Sequence, residues 1–178
     1  MEDRLAKSDW VAEGLRTLER EGAHALKAVP LAEKLGVSRG SFYWHFKDIA
    51  DFHGHVLEAW REHLTAHVIV NVEAKSPAPY RLQELIHAAF DARTGLERAI
   101  RAWASTDKAV ARTVASVDEQ RIGYIAALLQ SAGVQKAKAV NRATFLNWAY
   151  LGRAVATGKP QLALSDAALR DIVDLFER

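Results

Sequence analysis

Apolar positions recur with helical spacing almost from end to end of the chain, and no segment alternates as a half-buried strand would. The spacing predicts a first helix from about Ser8, a natural N-cap, with Val11, Leu15 and Leu18 at i, i+4 and i+7 and a stop at Gly22. A short second helix begins around Pro30, whose ring fits a first turn, buries Leu31 and Leu35 and ends at Gly36. Ser38 is placed to cap a third helix, with Val37 and Phe42 as its hydrophobic staple. A fourth starts near Asp48 and runs through Phe52, Val56, Trp60, Leu64 and Val68 until "AKSPAPY" breaks it with two prolines. Further helices are predicted from about Pro79 to Ala92, around "GLERAIRAW", from an Asp107 cap to Gly133, around "KAVNRATFLNWAYLGRAVA", and from a Ser165 cap onward. The fold class is therefore all-α.

The stretch "PLAEKLGVSRGSFYWHF" reads as helix, tight glycine-containing turn, helix, the pattern in which the second helix can enter a major groove. On a wheel of about 100 degrees per residue, Phe42 and Phe46 share one face, with Gly40 and Trp44 opposite and Tyr43 on a flank. The two phenylalanines belong to the core. Tyr43 and Trp44 either pack on a neighbouring helix or partner chain, or face a ligand. A duplex suits the second case: Arg39 can pair with guanine O6 and N7, Gly40 permits close backbone approach, and Ser41 can donate to a base or phosphate. Tyr43 and His45 offer phosphate donors, Trp44 offers an apolar face to a thymine methyl, and Lys47 adds a point charge.

Charge sharpens that choice. The chain has 178 residues with 24 basic and 22 acidic side chains, so its net charge of +2 leaves only a local surface for nucleic acid. Residues 1 to 33 carry five basic and seven acidic side chains, whereas Lys34, Arg39 and Lys47 stand in a window without Asp or Glu. The apolar fraction of 49% is that of an ordinary globular protein. Cysteine is absent, which excludes disulfides, thiolate metal sites and cysteine nucleophiles. With no P-loop and no Gly-x-Ser-x-Gly elbow either, an enzyme is not expected, nor is a cofactor. No apolar run is long enough to cross a bilayer and the N-terminal residues mix both charge signs, so a cytoplasmic protein without membrane contact is expected.

The segment "LAEKLGVSRGSFYWHFKD" resembles the DNA-binding motif of the tetracycline-repressor (TetR) family of bacterial transcriptional regulators, with its Gly-Val turn, small Ser41, Tyr-Trp-His triplet and basic residue leading into a long fourth helix. The likeness extends in helix order over roughly residues 8 to 68. It implies a helix-turn-helix DNA-binding domain of three helices at residues 1–47, joined by the fourth helix to an all-helical ligand-binding and dimerisation domain at 48–178. It further implies that Arg39, Ser41 and Trp44 read bases while Tyr43, His45 and Lys47 hold phosphates. Two departures stand out. Lys27-Ala28-Val29 replaces a capping Thr that touches phosphate, and Ile49 replaces a Lys, so either the phosphate clamp is weaker or Lys27 and Lys47 take over those contacts.

The resemblance implies a homodimeric repressor, expected to be released from a palindromic double-stranded DNA operator by a small-molecule effector. The alternative is a helical ligand-binding or interaction protein whose degenerate head no longer binds DNA. Interface candidates are Ala143, Leu146, Asn147, Tyr150 and Leu151 in one helix and Leu169, Ile172, Val173 and Phe176 in the last, expected as a four-helix bundle about a two-fold axis. Effector candidates, chosen by aromatic content and placement, are Trp60, His63, His67, Phe90, Trp103 and Tyr124. "HLTAH" sets His63 and His67 at i, i+4 on what the periodicity makes the apolar face, but no third ligand accompanies them and no metal is expected.

Overall fold

The computed structural model describes residues 5–156 and 164–178, and all the regular structure among them is helical. The elements are α1 (Lys7–Glu21), α2 (Ala28–Leu35), α3 (Arg39–His45), α4 (Ile49–Arg61), a π turn (Glu62–Ala66), α5 (His67–Lys75), α6 (Arg81–Asp91), α7 (Gly95–Ala104), α8 (Lys108–Ser131), α9 (Lys136–Val155) and α10 (Asp166–Glu177). Short 3-10 turns precede α2 at Ala23–Ala25 and α6 at Ala78–Tyr80.

Compactness groups the chain into two units, residues 1–63 with 95–114 and residues 64–94 with 115–178. In the first unit α1 packs on α2, α4 and α7, and α2 packs on α3. Its centre is aromatic: the Phe42 ring lies 5.4 Å from Trp10, 5.0 Å from Phe46 and 5.5 Å from Phe52, mostly edge to face. The buried stripe of α1 is Trp10, Glu13, Gly14, Thr17 and Leu18; Val11 and Leu15, expected there from periodicity, are only half-buried. Gly14 explains the shift. A Cβ on it would stand 2.6 Å from Phe52 Cζ and 2.9 Å from Val56 Cγ2, so α1 and α4 meet at a residue with no side chain.

Helix ends follow local chemistry, with one displacement. The N-cap of α1 is Ala6, not Ser8, because Asp9 in the first turn accepts from the Ala6 amide at 2.7 Å. Ser38 does occupy the N-cap of α3, but its hydroxyl makes no capping hydrogen bond. Asp48 caps α4 by accepting from the Asp51 amide at 2.8 Å, while Asp51 accepts from the Lys47 amide at 3.0 Å. Asp107 and Ser165 cap α8 and α10 as expected, and Gly133 takes a φ of 97° after α8.

In the second unit α6 packs against α5 and α10. Its core joins Leu82 and Ile86 of α6, Ala126 and Leu129 of α8, Ala143 and Leu146 of α9, and Leu169 and Val173 of α10. Arginines tie the helix ends: Arg153 of α9 donates to the carbonyls of Ala89 and Ala92, closing the C-terminus of α6, and Arg142 donates to Phe176 O at 2.6 Å.

Candidate nucleic-acid interface and ligand cavity

Helix α3 divides its side chains by face. Phe42 and Phe46 are fully buried against α1 and α4, whereas Arg39, Gly40, Tyr43 and Trp44 are exposed, Trp44 at 77% and Tyr43 at 51%. Ser41 and His45 are half-buried on the flanks, and Lys27 and Lys47 are exposed. Arg39 donates to the Tyr43 hydroxyl at 3.2 Å and lies over its ring at 5.6 Å from the centroid, a contact that holds its guanidinium pKa up. The pair is i, i+4 on one helix, so the sequence spacing alone sets it.

Lys34 behaves otherwise. Its ammonium donates to Glu21 and to Thr17 Oγ1, and the same ion pair holds the Glu21 carboxyl below its usual pKa. The acid-free window in the sequence thus contains one charge already matched from α1. Lys27, Arg39 and Lys47 are exposed.

The two substituted anchor positions are both first residues of helices. Ala28 opens α2 behind Lys27, which occupies the N-cap with no side-chain capping bond, and Ile49 opens α4 with its side chain exposed. At α4 the Asp48 carboxylate takes the Asp51 amide and the Asp51 carboxylate takes the Lys47 amide just ahead of the helix.

The effector candidates separate. Phe90 and Tyr124 line one cavity of the second unit, together with Leu64, Thr65, Val68, Ile69, Leu82, Arg121, Asn147 and Tyr150 among others. It is mostly apolar, has a volume of ≈ 100 Å³ and opens to solvent. Trp60 is buried in the first unit, and Trp103 sits in that unit against the His53 ring at 4.9 Å. His63 and His67 are exposed, a correction to the apolar face expected of them. The π turn is the reason: it carries more residues per turn than α geometry, so the 3.6-residue phase fails across Glu62–Ala66. Nothing in the periodicity announces it.

Arg121 was missed by the sequence reasoning. It is buried, donates from Nε to Thr65 Oγ1 at 3.0 Å and from a terminal nitrogen to Leu64 O at 3.3 Å, and lies over the Tyr150 ring at 5.3 Å. Arginine on a long helix ordinarily reads as a solvated charge, so no local signal distinguishes it. The Tyr124 hydroxyl is shut off from solvent without a hydrogen-bond partner among the described residues; burial, then the Glu73 charge, raises its pKa, so it stays a neutral donor.

The interface candidates divide by exposure. Ala143, Leu146, Asn147, Leu169 and Val173 are buried inside the second unit, Asn147 and Tyr150 line the cavity, and Tyr150, Leu151, Ile172 and Phe176 are half-buried. A side chain with no exposed surface cannot meet a partner. The apolar residues left outside on α9 are Val140, Phe145, Trp148 and Val155, with Leu175 on α10, and Phe145 stacks on Phe176 at 5.8 Å. The wheel located an apolar stripe but could not tell the inner one from the outer.

Residues 11–53 match the family model of the bacterial regulatory proteins, tetR family. The fold agrees over nearly the whole chain. A transcriptional regulator from Rhodococcus sp. Rha1 superposes with a TM-score of 0.75 at 20% identity, covering 97% of this chain and 94% of the other. A protein assigned to the TetR-family transcriptional regulators, also from Rhodococcus sp., gives 0.72 at 18% identity over 97% and 99% of the two chains. A third regulator, from Streptomyces coelicolor A3(2), gives 0.70 at 16% identity over 96% and 98%. No curated protein matches by sequence. Residues 11–53 thus resemble the bacterial regulatory proteins of the tetR family, and the chain as a whole shares the all-helical fold of these solved regulators. No helix among the described residues is long and apolar enough to cross a membrane.

Proposed function

We propose that the protein is a homodimeric DNA-binding repressor whose head, residues 1–47, reads a palindromic operator, and whose remaining residues, 48–178, bind a small-molecule effector and form the dimer. The observation that carries the DNA reading is α3 itself: Phe42, with Phe46 at its end, is buried while Arg39, Tyr43 and Trp44 are exposed, as are Lys27 and Lys47. In this reading Arg39, Gly40, Ser41 and Trp44 meet base edges, and Tyr43, His45, Lys47 and Lys27 hold the backbone. Arg39 approaches DNA already ordered on Tyr43, which lowers the rotamer entropy lost on binding.

Effector release is supported by the cavity. It lies directly against Leu64 and Thr65 of the π turn, so a ligand that favours one form of that turn has a route to α4. Selection of duplexes from a random pool by the purified protein tests the whole reading. A palindromic consensus with half-sites about one helical turn apart is expected, with affinity that falls steeply as salt rises. A pool that yields no consensus, together with salt-independent binding, would show that the head does not bind DNA.

A further inference from the structure

Asn147 stands in the interior of α9, is 3% exposed and lines the cavity of the second unit. Its side-chain amide makes no hydrogen bond among the described residues. Nor is it sealed in protein as the Tyr124 hydroxyl is, so it is open to the cavity. Asparagine is a poor residue for a helix interior, and an amide taken out of bulk water without a partner costs stability. Neither cost serves the packing of α9, whose core contacts are made by Ala139, Ala143 and Leu146. A ligand that supplies the missing hydrogen bonds accounts for both.

The rest of the wall narrows what that ligand is. Leu64, Val68, Ile69, Leu82, Phe90 and Ile125 make it mostly apolar. No carboxylate is among the lining residues, so a cation finds no counter-charge there. Arg121 is already held by Thr65 Oγ1, Leu64 O and the Tyr150 ring, so the wall keeps no cation in reserve for an anion. The polar head is therefore neutral. Asn147 presents N–H donors and a carbonyl acceptor in one plane, and the group that meets both at once is another amide edge, with N–H and C=O side by side. An apolar cavity of about 150 Å³ holds a benzene ring. This one, at ≈ 100 Å³ and open to solvent, suits a single ring that reaches its mouth.

We propose that the cavity takes a neutral amide with a compact apolar body, a ring-sized carboxamide or lactam, paired edge to edge with Asn147. One hydrogen bond runs each way across the pair. It therefore selects against ketones, which lack the donor, and against carboxylates, which repel the Asn147 carbonyl. That the bound amide acts as an effector rests on the effector reading given above; its binding does not.

Benzamide, acetophenone and benzoate share one shape and differ in the head, and NMR titration of the full chain with each tests the class. The chain has three asparagines, of which Asn71 and Asn141 are exposed, so asparagine-labelled protein reports Asn147 as one side-chain amide pair of three. Benzamide should move the Asn147 pair downfield and should bind more tightly than benzoate. Asn147→Leu keeps the volume and removes the amide, and the ratio of benzamide to acetophenone affinity should fall about tenfold. No binding of benzamide, an Asn147 pair that does not move at saturation, tighter binding of benzoate, or a ratio unchanged in Asn147→Leu would overturn the proposal. The wild-type titration decides the matter even if Asn147→Leu fails to fold. Benzamide that meets these tests yet leaves a selected duplex bound would refute effector release while upholding the ligand class.

Discussion

At the scale of single residues, Gly14 and Arg39 set opposite kinds of limit. Gly14 lies where α1 presses on α4, and the Phe52 ring that a Cβ would strike is fully buried and hemmed in by Phe42 and Phe46. Gly14→Ala gains up to about 1 kcal/mol in helix propensity but overpacks the core at about 1 to 3 kcal/mol. The clash should win, and denaturant unfolding should show a net loss of about 1 to 2 kcal/mol; an unchanged midpoint would mean that α4 retreats freely. Arg39 is exposed and its removal should leave stability alone. Arg39→Ala is expected to cost about 1 to 3 kcal/mol of operator affinity and to relax preference at one base pair, measured by binding to a set of single-base operator variants. A loss uniform over all variants would make Arg39 a phosphate contact.

At the scale of elements, the start of α4 shows how a helix can withhold its own anion site. Asp48 accepts from a first-turn amide and Asp51 from the Lys47 amide ahead of the helix, and both place negative charge at the positive end of the helix dipole, which stabilises α4 but repels phosphate. Ile49, exposed at the first helical position, contributes no cation. Ile49→Lys should therefore raise affinity for duplex and steepen the salt dependence by about one counterion. Titrations at several salt concentrations check this, and an unchanged slope would place Ile49 away from the backbone. The π turn is the element that sequence periodicity hid. Its residues, Glu62–Ala66, continue the helical pattern without Gly or Pro, and the turn is stabilised from α8 by Arg121, which lies more than fifty positions away in sequence.

At the scale of the whole molecule, the proposed palindromic operator would need two reading heads, and the outer apolar stripe of α9 is the surface with reason to be covered. Trp148 is 64% exposed and Phe145 57%, alongside Val140 and Val155, which is more aromatic surface than a solvated helix face ordinarily shows. Trp148→Glu should convert a dimer to a monomer in sedimentation and reduce operator binding to that of a single half-site, with the helical content unchanged. A dimer that persists in the variant would move the interface elsewhere.

By itself the sequence determined the helices and the face of α3. Capping residues, Gly and Pro act on their immediate neighbours, and the Phe42–Phe46 spacing is a local consequence of helix pitch; these signals need no tertiary partner. The tertiary structure decided what depends on which surfaces meet. It buried Gly14 and Thr17 instead of Val11 and Leu15, matched Lys34 to Glu21, and turned Leu146 and Asn147 inward while leaving Trp148 outside. It also brought Arg121 to Thr65 beside Tyr124. Periodicity states that a stripe is apolar; only packing states whether that stripe faces a core, a cavity or a partner.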